Sequence, residues 1–100
     1  TLFIPCIAGR VEQVSGPIAG FHASIIPTVW SFMLAARSRG LGTCWTTFYL
    51  KYEKEVAAIL EIPFEKITQV ALIPVAYTIG TKFKAAARKP LKEVLHLESW

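Results

Sequence analysis

Trp30-Ser31-Phe32-Met33-Leu34-Ala35-Ala36-Arg37-Ser38-Arg39-Gly40-Leu41-Gly42-Thr43 is the stretch that sets the architecture of this 100-residue chain. Ile26, Val29, Trp30, Met33 and then Ala36 or Arg37 recur at helical spacing, while Phe32 and Leu34 carry the apolar surface around the other side. A helix apolar on all sides is one that neighbours cover on more than one face. Ser24 stands ahead of it as the expected N-cap, and Pro27 falls in the first turn, where its missing N–H does little harm. Arg37 and Arg39 put cations at the negative end of the helix dipole. Gly40 supplies the left-handed residue that stops the helix.

Working outward from this helix, Leu2–Ile7 is a short apolar run with the character of a buried strand, and Pro5 within it points to an edge position or a bulge. Gly9 to His22 mixes Gly, Pro, Ser and scattered charges and reads as a loop. On the C-terminal side, Thr43–Phe48 is β-branched and aromatic and is expected to be extended. Lys51–Leu60 predicts a second helix, with Tyr52, Val56, Ile59 and Leu60 on one stripe and Glu53, Lys54 and Glu55 on the other; Pro63 lies beyond its end. Ile67–Ile79, closed by Gly80, is rich in Val, Ile and Tyr and predicts a central strand, in which Pro74 conflicts with a regular ladder. From Thr81 onward the chain reads as a basic loop, with Leu91–Leu97 forming a last short strand or turn. The order of elements is that of an α+β domain.

Hydrophobic residues make up 53% of the chain and charged residues only 18%, against roughly 45–50% and about 25% in ordinary soluble domains. A short chain has proportionally more surface and should be more polar than average. The excess implies apolar surface that a further segment, a second subunit, or both would cover. The opening run Thr1–Ala8 already reads as core strand and has no positively charged region before it, which is the look of a chain that starts inside a fold rather than with a signal peptide. Val14 to Ala36 is 23 residues without a formal charge. Gly16, Pro17, Gly20, His22 and Pro27 interrupt it, so its strongly apolar part, Ile25–Ala36, has the length of a core helix and not of a membrane span. Cys6 and Cys44 form no CxxC motif and share no metal-ligand spacing with His22 or His96, so they read as two buried, reduced thiols of a cytoplasmic protein.

The net charge is +4, and most of the excess lies in the tail, where Lys82, Lys84, Arg88, Lys89 and Lys92 outnumber Glu93 and Glu98. A basic cluster in one place suggests a local anion rather than a general nucleic-acid surface. No nucleophile–base arrangement stands out, because neither His has an acidic neighbour. Gly40-Leu41-Gly42 alone is explained by a helix cap followed by a tight turn. From spacing alone, the chain is part of an α+β domain with a basic tail, no catalytic side chain and no metal site.

Three motifs carry more. The apolar helix ending in Leu34-Ala35-Ala36 before Gly40-Leu41-Gly42; Ile62-Pro63 followed by Val70-Ala71-Leu72-Ile73-Pro74-Val75-Ala76-Tyr77; and Ala87-Arg88-Lys89-Pro90-Leu91-Lys92-Glu93-Val94 occur in that order. In this combination, across about residues 2–96, the chain resembles the nitroreductase family. The resemblance implies a three-layer α+β fold with a central mixed sheet flanked by helices, of which residues 1–100 would be the C-terminal portion of a single domain. It also implies an intertwined homodimer, cytoplasmic, with neither nucleic acid nor membrane as partner. Its chemistry would be FMN-dependent: hydride passes from NAD(P)H through flavin N5 to a small-molecule electron acceptor such as a nitroaromatic or quinone. The cofactor carries that chemistry, which fits the lack of an obvious catalytic side chain. The alternative is a non-catalytic, dimerising remnant of the same fold that no longer binds flavin.

Carried over by position, Arg88 corresponds to the family's C-terminal phosphate-binding cation, and a guanidinium can grip a phosphate with two parallel hydrogen bonds. Lys84 and Lys89 are weaker candidates for the same patch. Cys44-Trp45-Thr46-Thr47 corresponds to the segment that runs beside the isoalloxazine, with Thr46 and Thr47 as the flavin-facing residues and Gly42 allowing close approach; Trp45 reads equally well as core. The chain departs from the family pattern here, since Pro and then Glu or Gly are common in this segment, and again at Ala86, where Lys or Pro is usual. The family's N-terminal Arg-rich motif, the source of most phosphate contacts, has no counterpart in these residues.

Overall fold

In chain order the elements are β1 (Leu2–Phe3), β2 (Cys6–Ala8), α1 (Ile18–Ala23), α2 (Ile26–Ser38), β3 (Leu41–Thr43), α3 (Glu53–Ile59), β4 (Ile67–Gln69) and β5 (Ile73–Tyr77), with 3-10 turns at Val11–Gln13, Phe48–Tyr52 and Leu91–Glu93. The computed structural model describes residues 1–80 and 82–99; Thr81, where the expected basic loop begins, lies outside the described residues. The fold class is α+β. The strands form two small sheets, a three-stranded one in the order β1-β5-β3 and a ribbon of β2 and β4. Every strand pair among the described residues is antiparallel, so the mixed sheet expected from the sequence is not formed within this chain.

α2 follows its sequence signals closely. Pro27 occupies the first turn, and Gly40 adopts φ 77° directly after the helix, with its N–H donated to the Arg37 carbonyl at 3.1 Å. The N-terminus corrects the expectation. Ile25, not Ser24, is the N-cap, because a short helix that the sequence reading treated as loop, α1, ends at Ala23 and takes Ser24 for its own closure. The Ser24 hydroxyl donates to the Phe21 carbonyl at 2.7 Å. Ile18–Ser38 together is long and apolar enough to cross a membrane, with a mean hydropathy of 1.4, but the turn at Ser24–Ile25 breaks it into two helices.

The core lies between α2 and the three-stranded sheet. Val29, Ala71 and Ile73 are its buried centre, and Phe3, Ile25, Phe32, Met33, Trp45 and Val75 pack around them. Phe3 and Phe32 join sheet to helix with ring centroids 4.5 Å apart.

The run Ile67–Ile79 proves to be two strands in two sheets. The Val70 N–H donates to the Pro5 carbonyl at 2.9 Å, Leu72 forms a bridge with Thr46, and β5 then pairs with β1 and β3. Pro74 explains a second interruption. Thr43 is opposite Val75, so the next position, Cys44, faces a proline that has no N–H to donate. β3 stops at Thr43, and pairing resumes only at Thr46 and Leu72. The extended segment expected over Thr43–Phe48 is thereby reduced to this bridge, with the 3-10 turn starting at Phe48.

Two burial expectations are overturned. Cys6 and Cys44 are both free and exposed: Cys6 sits on the two-stranded ribbon of β2 and β4, and Cys44 falls in the break opposite Pro74. On α3, only Ala57 is fully buried, while Ile59 and Tyr52 face outward. The helix is rotated so that Glu53 turns inward, for a reason given below.

The chain is also spread out. Its radius of gyration is 17.1 Å, where about 13 Å is typical for 100 residues. Its accessible surface is 8076 Å², where a folded monomer of this mass exposes roughly 5,700 Å². Trp30, Leu34, Phe48, Ile79, Phe83 and Leu97 are among the large apolar residues left in solvent.

Candidate functional site

A cleft of about 370 Å³ opens between the end of α2, the beginning of β3 and the tail. Trp30, Met33, Leu41 and Phe83 supply apolar walls, and Arg37, Thr43 and Thr78 bring polar groups to it, with Gly42 in its floor. The Arg37 guanidinium lies over the Phe83 ring, 4.7 Å from its centroid, which fastens the start of the tail to the end of the helix. Gly42 is favoured by packing. A Cβ there would come within 2.5 Å of Thr78 Cγ2, so any larger residue would push the Thr78 side chain away from its place against β3. A second apolar cleft of about 410 Å³ lies on the adjoining face of α2, lined by Ile26, Trp30, Met33 and Trp45. Trp45 thus serves both the core and this surface.

The residues singled out from sequence are not gathered in one place. Gly42 lines the first cleft. Thr46 follows the break in β3, and its N–H is already donated to the Leu72 carbonyl at 3.1 Å. Thr47 is exposed and opens the 3-10 turn, its carbonyl accepting the Leu50 N–H at 3.0 Å. Lys84, Lys89 and Arg88 are exposed in the irregular tail. Lys84 is next in sequence to Phe83, but neither it nor Arg88 lines the cleft.

This arrangement, with an apolar helix closed by glycine, a Gly42 strand beneath it and the split Ile67–Tyr77 run alongside, falls within residues 9–77, which match the family model described as Nitroreductase family. The chain belongs to the nitroreductase family. No curated protein and no solved structure gives a significant match.

For a nitroreductase the cofactor to weigh is FMN. An apolar cleft with a few polar groups at fixed places is the composition of small-molecule sites in general, and the cleft beside Gly42 has that composition. The phosphate is less well served. A doubly charged phosphate needs several converging donors, and the described residues of this chain do not bring Arg88 and Lys84 to the cleft. Among the described residues, the tail cations therefore stay outside the lining of this cleft.

Two groups escaped the sequence reading. Arg37 was assigned to the helix dipole alone, and nothing in the sequence announces that Phe83 folds back under it. Arg10 was one charge in a loop, yet it is the most completely buried cation among the described residues, 6% exposed. Its Nη1 and Nη2 hold the two oxygens of Glu53 at 2.8 and 3.2 Å, and its Nε and Nη2 hold those of Glu12, both at 3.2 Å. Nη1 also donates to the Ile67 carbonyl at 3.0 Å, and the guanidinium stacks 4.0 Å from the Phe64 centroid. This is why Glu53 turns inward. A buried guanidinium needs its charge and its donors matched, and α3 rotates to provide a carboxylate. The hydrogen bonds it donates to Glu53 raise the Arg10 pKa further above its usual value, against the cost of burial. Glu12, fully exposed, has its carboxyl lowered by a backbone hydrogen bond and by Arg10. Partial burial, and then the nearby Glu53 carboxylate, raises the Cys6 pKa.

Proposed function

We propose that this nitroreductase-family chain is part of an FMN-dependent oxidoreductase, and that residues 1–100 are the C-terminal portion of its single three-layer domain. The observation that carries the reading is the apolar cleft beside Gly42, lined by matched residues together with Thr78 and Phe83. In this reading a central mixed sheet is completed by strands from other segments, and a second copy covers the exposed face of α2. The surface excess of roughly 2,400 Å² over a folded monomer supports that view, because obligate homodimers bury 2,000 Å² or more in total. α2 then serves as an interior helix rather than a membrane span, and the working environment is cytoplasmic. When bound, the flavin would supply hydride transfer through N5 from NAD(P)H to a nitroaromatic, quinone or similar acceptor.

The roles of this chain's residues are structural and electrostatic. Gly42 keeps the wall of the cleft thin. Thr46 and Thr47 form the edge beside the ring, with the Thr47 amide the better placed of the two, because the Thr46 amide is taken by Leu72. Arg88, with Lys84 as a weaker candidate, reaches the phosphate once assembly places the tail against the cofactor. The test is a visible spectrum of the full natural polypeptide, followed by an FMN titration. A yellow protein, or a colourless one that FMN reconstitutes, with affinity lowered about tenfold or more by Arg88→Ala, is expected. A colourless protein that FMN cannot reconstitute would end this reading.

A second reading, a dimerising remnant without flavin, is favoured by two observations: the engaged Thr46 amide and the lack of either tail cation in the cleft lining. Light scattering alongside the same titration separates the two. A stable dimer indifferent to FMN selects the remnant.

A further inference from the structure

Tyr49 lies on the 3-10 turn just after Thr46 and Thr47, and its hydroxyl is 3.2 Å from Gln69 Oε1 and 3.1 Å from the Ala71 carbonyl. Gln69, buried on β4, is itself fixed at two points. Its backbone N–H donates to Glu53 Oε1 at 2.8 Å, and its Nε2 donates to the Glu53 carbonyl at 2.9 Å. Glu53 is the residue that Arg10 draws inward. A continuous polar chain therefore runs from the buried cation after β2, through α3 and β4, to the hydroxyl on the segment that follows β3. No buried side-chain nitrogen or oxygen among the described residues is left without a partner, the condition under which such a network rigidifies rather than weakens a fold.

The segment it reaches needs holding. Pro74 breaks the ladder at Cys44, and although Trp45 packs against the core, Phe48, beside Tyr49, is 89% exposed, so side-chain packing anchors only the start of the segment. Two ties fasten the segment to residues 71 and 72. One is the backbone bridge of Thr46 with Leu72, with N···O distances of 3.1 and 2.8 Å. The other is the Tyr49 hydroxyl on Ala71.

We propose that Tyr49 is a positioning residue, which with Gln69 and the Arg10–Glu53 pair behind it fixes the backbone of Thr46 and Thr47 relative to the Gly42 strand while touching no ligand. The flavin reading enters only in naming what that edge faces; the fixing of the backbone is independent of it.

Tyr49→Phe in the full natural polypeptide removes one oxygen and keeps the ring. Backbone amide exchange and an FMN titration are then compared with the parent. At Thr46 and Leu72, exchange is expected to rise about five- to tenfold, the effect of losing one hydrogen bond of ordinary strength, while Val29 in α2 is unchanged. FMN affinity is expected to fall by a similar factor. Faster exchange confined to Thr46 and Leu72 when neither protein binds FMN upholds the positioning role and removes the flavin reading. Unchanged exchange at those two amides overturns the proposal, as does a uniform rise that includes Val29. Unchanged FMN affinity in a variant whose parent binds the flavin overturns it as well.

Discussion

Arg10, a cation, is 6% exposed, whereas Trp30, an indole on the principal helix, is 57% exposed. The usual preferences of the two residue types are reversed. Around Arg10 the chain is self-sufficient: two carboxylates, a carbonyl and an aromatic ring answer every donor, and α3 is turned to make this possible. Around Trp30 it is unfinished, with Leu34 and Ile26 also left in water beside two apolar clefts. One corner is complete within these residues. The other has a surface composed for something else to cover. The difference shows that the same chain buries a charge where it can match every donor and leaves a large apolar side chain in solvent where it has nothing to lay over it.

The comparison can be broken most forcefully at the polar corner. Arg10→Met should cost about 3–5 kcal/mol in a urea unfolding experiment, because it strands Glu53 without its cation. A loss under 1 kcal/mol would mean that the corner is solvated and no more finished than the helix face.

A second, more graded effect concerns Tyr49. Burial first, and then the negative charges of Cys6 and Glu53, raise its phenol pKa to about 12 from the ordinary 10. The folded state favours the protonated phenol, so this contribution is whole below pH 10 and is lost as pH rises through about 12. Thermal melts across that window, read with phenolate absorbance, should show a decline that Tyr49→Phe makes shallower.

The smallest effect on stability is expected at the open face. Trp30→Glu should shift the unfolding free energy by about 0.5 kcal/mol or less, as at other exposed sites, while sedimentation shows loss of self-association. A large fall in stability would show that the chain covers this face with its own residues.

Much of the architecture was legible in advance, for identifiable reasons. α2 could be read because apolar periodicity, two terminal arginines and Gly40 all agree, and local signals that agree are what make a sequence readable. The Ile67–Ile79 run was correctly read as β structure but not as two strands, because apolar continuity reports burial and does not report which neighbour is paired. Pro74 was recognised as an obstacle to the ladder, and it is the reason β3 stops at Thr43. The stripe on α3 was misplaced because hydrophobic spacing cannot see a buried guanidinium elsewhere in the chain pulling Glu53 inward. Of the candidate site, only Gly42 could be tied to a cleft. Arg37, Phe83 and Tyr49 were invisible, since their roles depend on contacts between segments far apart in sequence.

Pro74 has a consequence beyond the gap it leaves. A chain with this much uncovered apolar surface is in danger of growing strand by strand into fibrils, because open sheet edges offer unpaired donors and acceptors to other copies. The outer strand beside β5 is held to Leu41–Thr43, three residues, and the opposite one to Leu2–Phe3, two residues. Neither is long enough to template a stable cross-β stack, for which six or seven residues are typical. By withholding a single N–H, the proline keeps one of those margins short, and a short margin is a poor template for another copy's strand.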